Sequence, residues 1–321
     1  MNFFAKLSSL FGDKKVDLAQ RYEMVRESTS GTMSNFHQAK EIKTGKVVGL
    51  KLLDKEKTNA FESRFKELKK PSEGEIGKGL KHPRIAETYE YGETGAGQPY
   101  IVMEFVEGFG LNTLINDRSP ILQKNRLTLI RQMAEAIDAV HKAGYIHRDV
   151  CPRNFIVAPD GQSLKLIDFG LTLPAKKEYM QPGNRTGTPL YMAPEIVRRR
   201  WTDQRVDIFA LGVTIYVLCV FQHPWTSANA DGRAALQHDT ITPTPILDVC
   251  PTLNKTLAQV IMSCIDSDPN KRPESAEKFL QLIAKVKDAF DGPPPQFSAV
   301  SPLAGKQGAA VAPSKPLEKK S

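Results

Sequence analysis

His147-Arg148-Asp149-Val150-Cys151-Pro152-Arg153-Asn154, followed by Asp168-Phe169-Gly170, decides how the rest of the chain is read. The carboxylate at position 149 can orient a hydroxyl and accept its proton. The amide at 154 and the carboxylate at 168 offer hard oxygen donors, which magnesium takes while keeping some of its water. A proton acceptor beside two magnesium ligands is what phosphoryl transfer asks for, because the moving group carries charge that must be neutralised. Leu164-Lys165-Leu166-Ile167 delivers Asp168 at the end of an apolar run. A plain pair of apolar strands joined by turns accounts for neither acidic residue nor their spacing.

Downstream stands Gly187-Thr188-Pro189-Leu190-Tyr191-Met192-Ala193-Pro194-Glu195. Taken together, the three stretches resemble the catalytic loop (H-R-D-x-x-x-x-N), the magnesium loop (D-F-G) and the end of the activation segment of eukaryotic-type protein kinases, in serine/threonine-like form. The resemblance covers residues 21–288. It implies an α+β, bilobal protein-kinase fold. The small lobe, 21–105, would hold an antiparallel sheet and one helix (helix C), and the larger, mainly helical lobe would span 106–288. An amphipathic segment, 1–20, would precede them, and a Pro/Ala/Lys-rich tail, 289–321, would follow. The implied cofactors are ATP and magnesium (Mg2+), and the implied acceptor is a Ser or Thr of a protein substrate.

Composition bounds the reading. The 321 residues exceed what a single core usually organises, which suits two lobes. The net charge of +8 comes from scattered Lys and Arg, so nucleic acid is not an expected partner. Cys151, Cys219, Cys250 and Cys264 form no C-x-x-C pair and read as reduced thiols of a cytoplasmic protein. No apolar run reaches membrane-spanning length. Phe3, Phe4, Leu7, Leu10 and Phe11 share one face at helical spacing. That face suits docking on the chain's own domain or, alternatively, peripheral membrane contact by residues 1–15.

In the small lobe, Val47-Val48-Gly49-Leu50-Lys51 resembles the V-A-I-K strand with Gly49 for alanine, which makes Lys51 the phosphate-holding lysine. The glycine-rich loop falls on Thr29-Ser30-Gly31-Thr32-Met33-Ser34 and keeps only Gly31. Phe36 stands where the family has a valine over the base. Phe61, Phe65 and Leu68 suggest a short helix over 61–70, with Pro71 opening the next. Counting from His82-Pro83-Arg84-Ile85 makes Glu73 the helix C partner of Lys51, with Glu75 as the alternative. Backbone groups of Glu104 and Val106, beside Met103, would read the adenine edge, and Ile156 would lie against the nucleotide. Gly74, Gly77 and Gly79 each lower helix propensity. Gly77 and Thr88 leave the family's apolar spine without large side chains at two positions. Helix C is therefore expected to pack weakly and to invite an activating partner.

In the large lobe, apolar spacing predicts helix from Leu111 to Ala143. His141 and His147 read as structural residues. Cys151 replaces the lysine usual in serine/threonine kinases, and Arg153 would supply the cation instead. Thr188 would bond to the Asp149 region, Asp207 would cap its helix and bind the catalytic-loop backbone, and Arg272 would pair with Glu195. Asn184 occupies the usual phosphorylated position of the activation segment, leaving Thr172, Tyr179 and Thr186 as candidates for a phosphate that Arg148 would receive. The eroded glycine loop and Cys151 also fit a pseudokinase scaffold. Retention of Lys51, Glu73, Asp149, Asn154 and Asp168 weighs toward catalysis. A Tyr or small-molecule acceptor is the remaining alternative.

Overall fold

The computed structural model describes residues 16–25, 29–30, 34–225 and 234–293. The expectations for residues 1–15, for Gly31 and for most of the tail lie outside them. The chain divides into two compact units, the first ending at Phe105 and the second resuming at Val106. The division departs from the expected boundary in one respect: His82–Ile85 belongs to the second unit.

The first unit is built on an antiparallel sheet. Helix α1 (Leu18–Arg21) leads into β1 (Tyr22–Met24), β2 (Thr29–Ser30), β3 (Ser34–Glu41), β4 (Val47–Leu53), β5 (Thr88–Glu93) and β6 (Pro99–Glu104). The order is β1-β3-β4-β6-β5, with β2 a second short partner of β3. Strand alternation sends Val48 and Leu50 into a core with Leu18, Tyr22, Ala39, Tyr100 and Val102. Packing thus starts at Leu18, before the expected boundary at residue 21. Arg21 clamps both oxygens of Glu90 at 2.7 Å, and the Tyr100 hydroxyl donates to the same carboxylate at 2.6 Å. The Arg21 bond, helped by Tyr100, holds the Glu90 carboxyl below its ordinary range.

The helix predicted over 61–70 is displaced. Asp54 accepts from the Lys57 amide at 3.1 Å and starts α2 (Lys55–Glu62) much earlier. A 3-10 turn, Ser63–Leu68, follows, with Phe65 at φ −122° breaking the helical path. Phe61 and Phe65 are buried and meet edge to face at 5.5 Å, whereas Leu68 is exposed. Pro71 does not open the next helix. That role falls to Ser72, whose hydroxyl accepts from the Glu75 amide at 3.2 Å and caps α3 (Glu73–Gly79). One of its glycines has a steric reason: a Cβ on Gly74 would lie 2.3 Å from Cβ of Tyr91 on β5. Ile76 and Gly77 are buried.

The second unit is mainly helical. The predicted helix from Leu111 to Ala143 is two helices, α4 (Leu111–Asn116) and α5 (Ile121–Lys142). They part where Arg118 turns left-handed (φ 49°) ahead of Pro120. Helices α6 (Pro194–Val197), α7 (Arg205–Val220), α8 (Ile246–Val249), α9 (Lys255–Cys264) and α10 (Ala276–Leu282) follow, with α7 and α10 packed on α5 and α9 on α7. Short strands hold the loops: β7 (Phe109–Gly110), β9 (Phe155–Val157) and β10 (Leu164–Leu166) in one sheet, β8 (Tyr145–Ile146) and β11 (Leu173–Pro174) in another. Helix α7 is buried on every side from Val206 to Val220. No helix among the described residues is long and apolar enough to cross a membrane. Ala289 and Phe290 are buried, and Phe290 bridges to Leu253, so packing runs past the expected limit at residue 288.

Arg272 forks onto Glu195 at 2.7 and 2.9 Å with both residues buried. Removing one partner of such a pair strands the other charge in the interior. Arg272→Ala is expected to lose about 3–5 kcal/mol of stability in urea unfolding, and Arg272→Lys to recover little because an ammonium cannot form the fork.

Candidate active site

The catalytic-loop residues are placed by Asp207, the third residue of α7. Its carboxylate accepts from the amides of His147 (2.7 Å) and Arg148 (2.8 Å) and bonds His141 Nε2 at 2.9 Å. The expected cap is not formed. Gln204 holds the cap position without a side-chain bond, and Asp207 is turned to the loop instead. Burial alone would push its carboxyl upward; the bonds from His141 and the loop amides outweigh this and hold it low. The backbone there is bent, with Arg148 at φ 67°.

His147 has a readable tautomer. Its Nδ1 accepts from the Asp149 amide at 3.2 Å, so the proton sits on Nε2, which donates to the Asp168 carbonyl at 2.6 Å. Its ring meets Phe169 edge-on at 5.7 Å. The histidine thus ties the two loops together, as its structural reading requires.

The Asp149 carboxylate accepts four hydrogen bonds from the described residues. Thr188 gives Oδ1 its hydroxyl at 2.6 Å and its amide at 2.9 Å. Arg153 and Asn154 reach Oδ2 at 3.0 and 3.1 Å. Asn154 also donates to the Asp149 carbonyl at 2.7 Å, so its amide nitrogen is engaged and the donors it has for a cation are its amide oxygen's lone pairs. Asp168 Oδ1 accepts from the Gly170 amide at 2.8 Å, and the Ile167 amide donates to the Asn154 carbonyl at 3.1 Å, which brings positions 154 and 168 close. Cys151 is buried, its thiol pushed up to about 12 chiefly by that burial, with Asp149 adding to it.

The activation segment departs from expectation. Thr172 is fully buried, its hydroxyl donating to the His147 carbonyl at 3.4 Å, and most of the Tyr179 side chain is buried as well. Thr186 is half-buried and donates to Asn184 Oδ1 at 3.1 Å. Arg148, itself buried, bonds the Asn184 carbonyl (3.1 Å) and the Thr202 hydroxyl (3.3 Å).

In the first unit, Lys51 Nζ lies 2.5 Å from Glu73 Oε1, and Glu75 is exposed. The alternative partner is thereby removed. Glu104 closes β6, its amide donating to the Glu87 carbonyl at 2.8 Å, and Val106 follows in irregular chain. Ile156 lies half-buried on β9. Phe36 and Gly49 occupy one face of the sheet and answer each other. A Cβ on Gly49 would stand 2.7 Å from Phe36 Cζ and 3.2 Å from Met103 Cγ. The Phe36 ring stacks near Phe105, with centroids 6.4 Å apart.

Residues 22–282 match the protein kinase domain family. The chain belongs to that family. Its fold is accordingly the bilobal α+β kinase fold, with the first unit as small lobe and the second as large lobe. Similar curated proteins include the serine/threonine-protein kinase PknB of Mycobacterium tuberculosis, 29% identical over 88% of this chain and 45% of the relative. PrkC of Bacillus subtilis, also a serine/threonine-protein kinase, is 29% identical over 85% and 41%. Pkn2 of Myxococcus xanthus, of the same name class, is 29% identical over 84% and 33%. The chain spans less than half the length of these relatives. As a kinase domain it retains oxygen donors that suit magnesium, a hard cation, in the Asn154 amide and the Asp168 carboxylate. The interlocking of Phe36 with Gly49 was not foreseen from the sequence, although two departures from one family pattern on paired strands were a usable signal.

If Phe36 is what forbids a side chain at position 49, the two substitutions will be coupled. Gly49→Ala alone should cost about 1–3 kcal/mol by overpacking. In a Phe36→Val background the same change should cost less than about 1 kcal/mol, which denaturant unfolding of the four proteins will read. An equal cost in both backgrounds removes Phe36 as the cause.

Proposed function

We propose that this kinase domain transfers the γ-phosphoryl group of ATP to Ser or Thr of a protein substrate, with magnesium, in the cytoplasm. The observation that carries the reading is the Asp149 carboxylate, held by donors from Thr188, Arg153 and Asn154. A carboxylate has about four lone-pair sites, so an incoming hydroxyl has to displace a donor. Arg153 is the one to yield, because its side chain is 48% exposed. On this reading the hydroxyl takes its place at Oδ2, its oxygen bonds to the γ-phosphorus as the bond to ADP breaks, and its proton passes to Asp149. Arg153, released, turns its charge to the transferring group. That assigns it the work that lysine does where Cys151 now stands.

Asn154 and Asp168 would hold magnesium, which when bound supplies charge neutralisation at the phosphates. Lys51, oriented by Glu73, would pair with the nucleotide's phosphates, and Gly31, Glu104, Val106 and Ile156 would contribute to holding it. Preference for Ser/Thr rests on Thr188, which bonds Asp149 in the serine/threonine manner, and on the names of the relatives. An activating partner at α3 remains part of the proposal. It would raise the share of time for which the Lys51–Glu73 pair is closed.

Asp149→Asn should lower transfer by about 10²–10⁴-fold while leaving the unfolding transition in place. The assay is labelled-phosphate incorporation with the modified residue identified by mass spectrometry. Undiminished transfer by the variant would reassign the base. Arg153→Ala is expected to lower turnover more than it weakens nucleotide binding, measured by steady-state kinetics beside nucleotide titration. A rise in the Michaelis constant alone would make Arg153 a docking residue.

A further inference from the structure

The end of the activation segment is pinned to the catalytic loop through neutral oxygen acceptors. Arg148 is buried, and its guanidinium donates to the Asn184 carbonyl at 3.1 Å and to the Thr202 hydroxyl at 3.3 Å. The acceptor at 184 is a backbone oxygen, on a residue whose side chain cannot carry a phosphate. Thr186 adds a tie within the segment, its hydroxyl donating to Asn184 Oδ1 at 3.1 Å. Gly187 has φ 135°, and a Cβ there would stand 3.0 Å from the Arg148 carbonyl, so the segment runs against the loop backbone. Thr188 then closes on Asp149 through its hydroxyl and its amide.

The charge of Arg148 is answered inside the same lobe. Burial pushes the guanidinium below its ordinary value, and the buried carboxylates of Asp207 and Glu195 pull the other way. A buried cation with two carboxylates acting on it does not depend on a third anion for compensation. The hydroxyls of the segment before Gly187 agree. Thr172 is fully buried, most of the Tyr179 side chain is buried, and Thr186 is half-buried and already bonded.

On the kinase reading, we infer that Arg148 and the Asn184 carbonyl set this activation segment for catalysis in the unphosphorylated chain. Phosphorylation of the segment, which orders such loops by bringing a phosphate to an arginine, is therefore not its on-switch. Arg148 acts as a positioning residue, through the segment that carries Thr188 to Asp149.

The test compares transfer from ATP and magnesium to a degenerate Ser/Thr peptide library by four proteins. They are the full chain as purified, the same chain after phosphatase treatment, Tyr179→Phe/Thr186→Val, and Asn184→Asp. Mass spectrometry verifies that residues 171–188 of the treated chain carry no phosphate. All four should transfer within about twofold of one another. Asn184→Asp is the sharpest arm, because Arg148 Nε and Asn184 Nδ2 are buried donors without acceptors and would respond to a carboxylate if one were required. A loss of about tenfold after phosphatase treatment or in the double variant, or a similar gain in Asn184→Asp, overturns the inference.

Amide exchange supplies a readout besides activity. In the treated chain residues 184–188 should exchange slowly, and in Arg148→Met at least about tenfold faster, with the large-lobe helices and the thermal unfolding transition unchanged. Equal exchange in the two proteins overturns the lock. Should Arg148→Met fail to fold, the four transfer measurements still decide. Slow exchange that Arg148→Met abolishes, with no transfer by any of the proteins, supports the lock and overturns the kinase reading. Transfer that depends on phosphate in the segment overturns the lock and leaves the kinase reading standing.

Discussion

A single carboxylate buried beneath the catalytic loop sets the geometry on which the large lobe depends. Asp207 is fully buried, and leaving its charge uncompensated would be costly. Two adjacent backbone amides and His141 supply the compensation, and in doing so they fix the bend at Arg148. From that bend Asp149 projects toward Thr188, and His147 reaches the carbonyl of Asp168. The Asp149 carboxylate and the loop that carries Asp168 are thus registered against one residue of a helix that is itself buried on all sides. The Glu195–Arg272 pair does for the end of the activation segment what Asp207 does for the loop, anchoring it at depth.

The small lobe solves a different problem, the loss of side-chain volume at glycines. Two of its glycines face aromatic rings placed where a methyl group would be. Tyr91 lies against Gly74, and Phe36 against Gly49. Helix α3 thereby exchanges helix propensity for a ring packed on its backbone, and its Ile76 is fully buried. At Gly74 the partner strand supplies packing that propensity alone does not count, whereas a Cβ on Gly79 would meet nothing, so the contact eases the cost of one glycine of the three.

What could be read from the chain and what could not follow from the range of the forces involved. Asp149, Asn154 and Asp168 announce themselves because their spacing is local and their chemistry specific. Glu73 was reached by counting from a turn, and its carboxylate lies 2.5 Å from Lys51 Nζ. The helix placed at 61–70 was misjudged because Phe61 and Phe65 share a buried face without sharing a helix, while the actual start lies at the Asp54 cap. The break at Arg118 was hidden inside a long apolar periodicity. Asp207 was correctly tied to the catalytic loop but wrongly made a helix cap, since its position in the first turn permits either orientation. Burial of Thr172 and Tyr179 depends on how the activation segment folds back, which no local pattern encodes.

The cysteines carry a consequence of their own. All four are unpaired and buried, and the thiols of Cys151, Cys219 and Cys264 are each pushed up to about 12, chiefly by burial. Peroxides and alkylating electrophiles attack the exposed thiolate, a form that Cys151, Cys219 and Cys264 do not offer at neutral pH. Cys151 touches the hydroxyl of Thr188 and stands two residues from Asp149, yet it gives a covalent inhibitor no handle. Position 151, two residues from Asp149, therefore holds a thiol that burial keeps protonated and out of solvent.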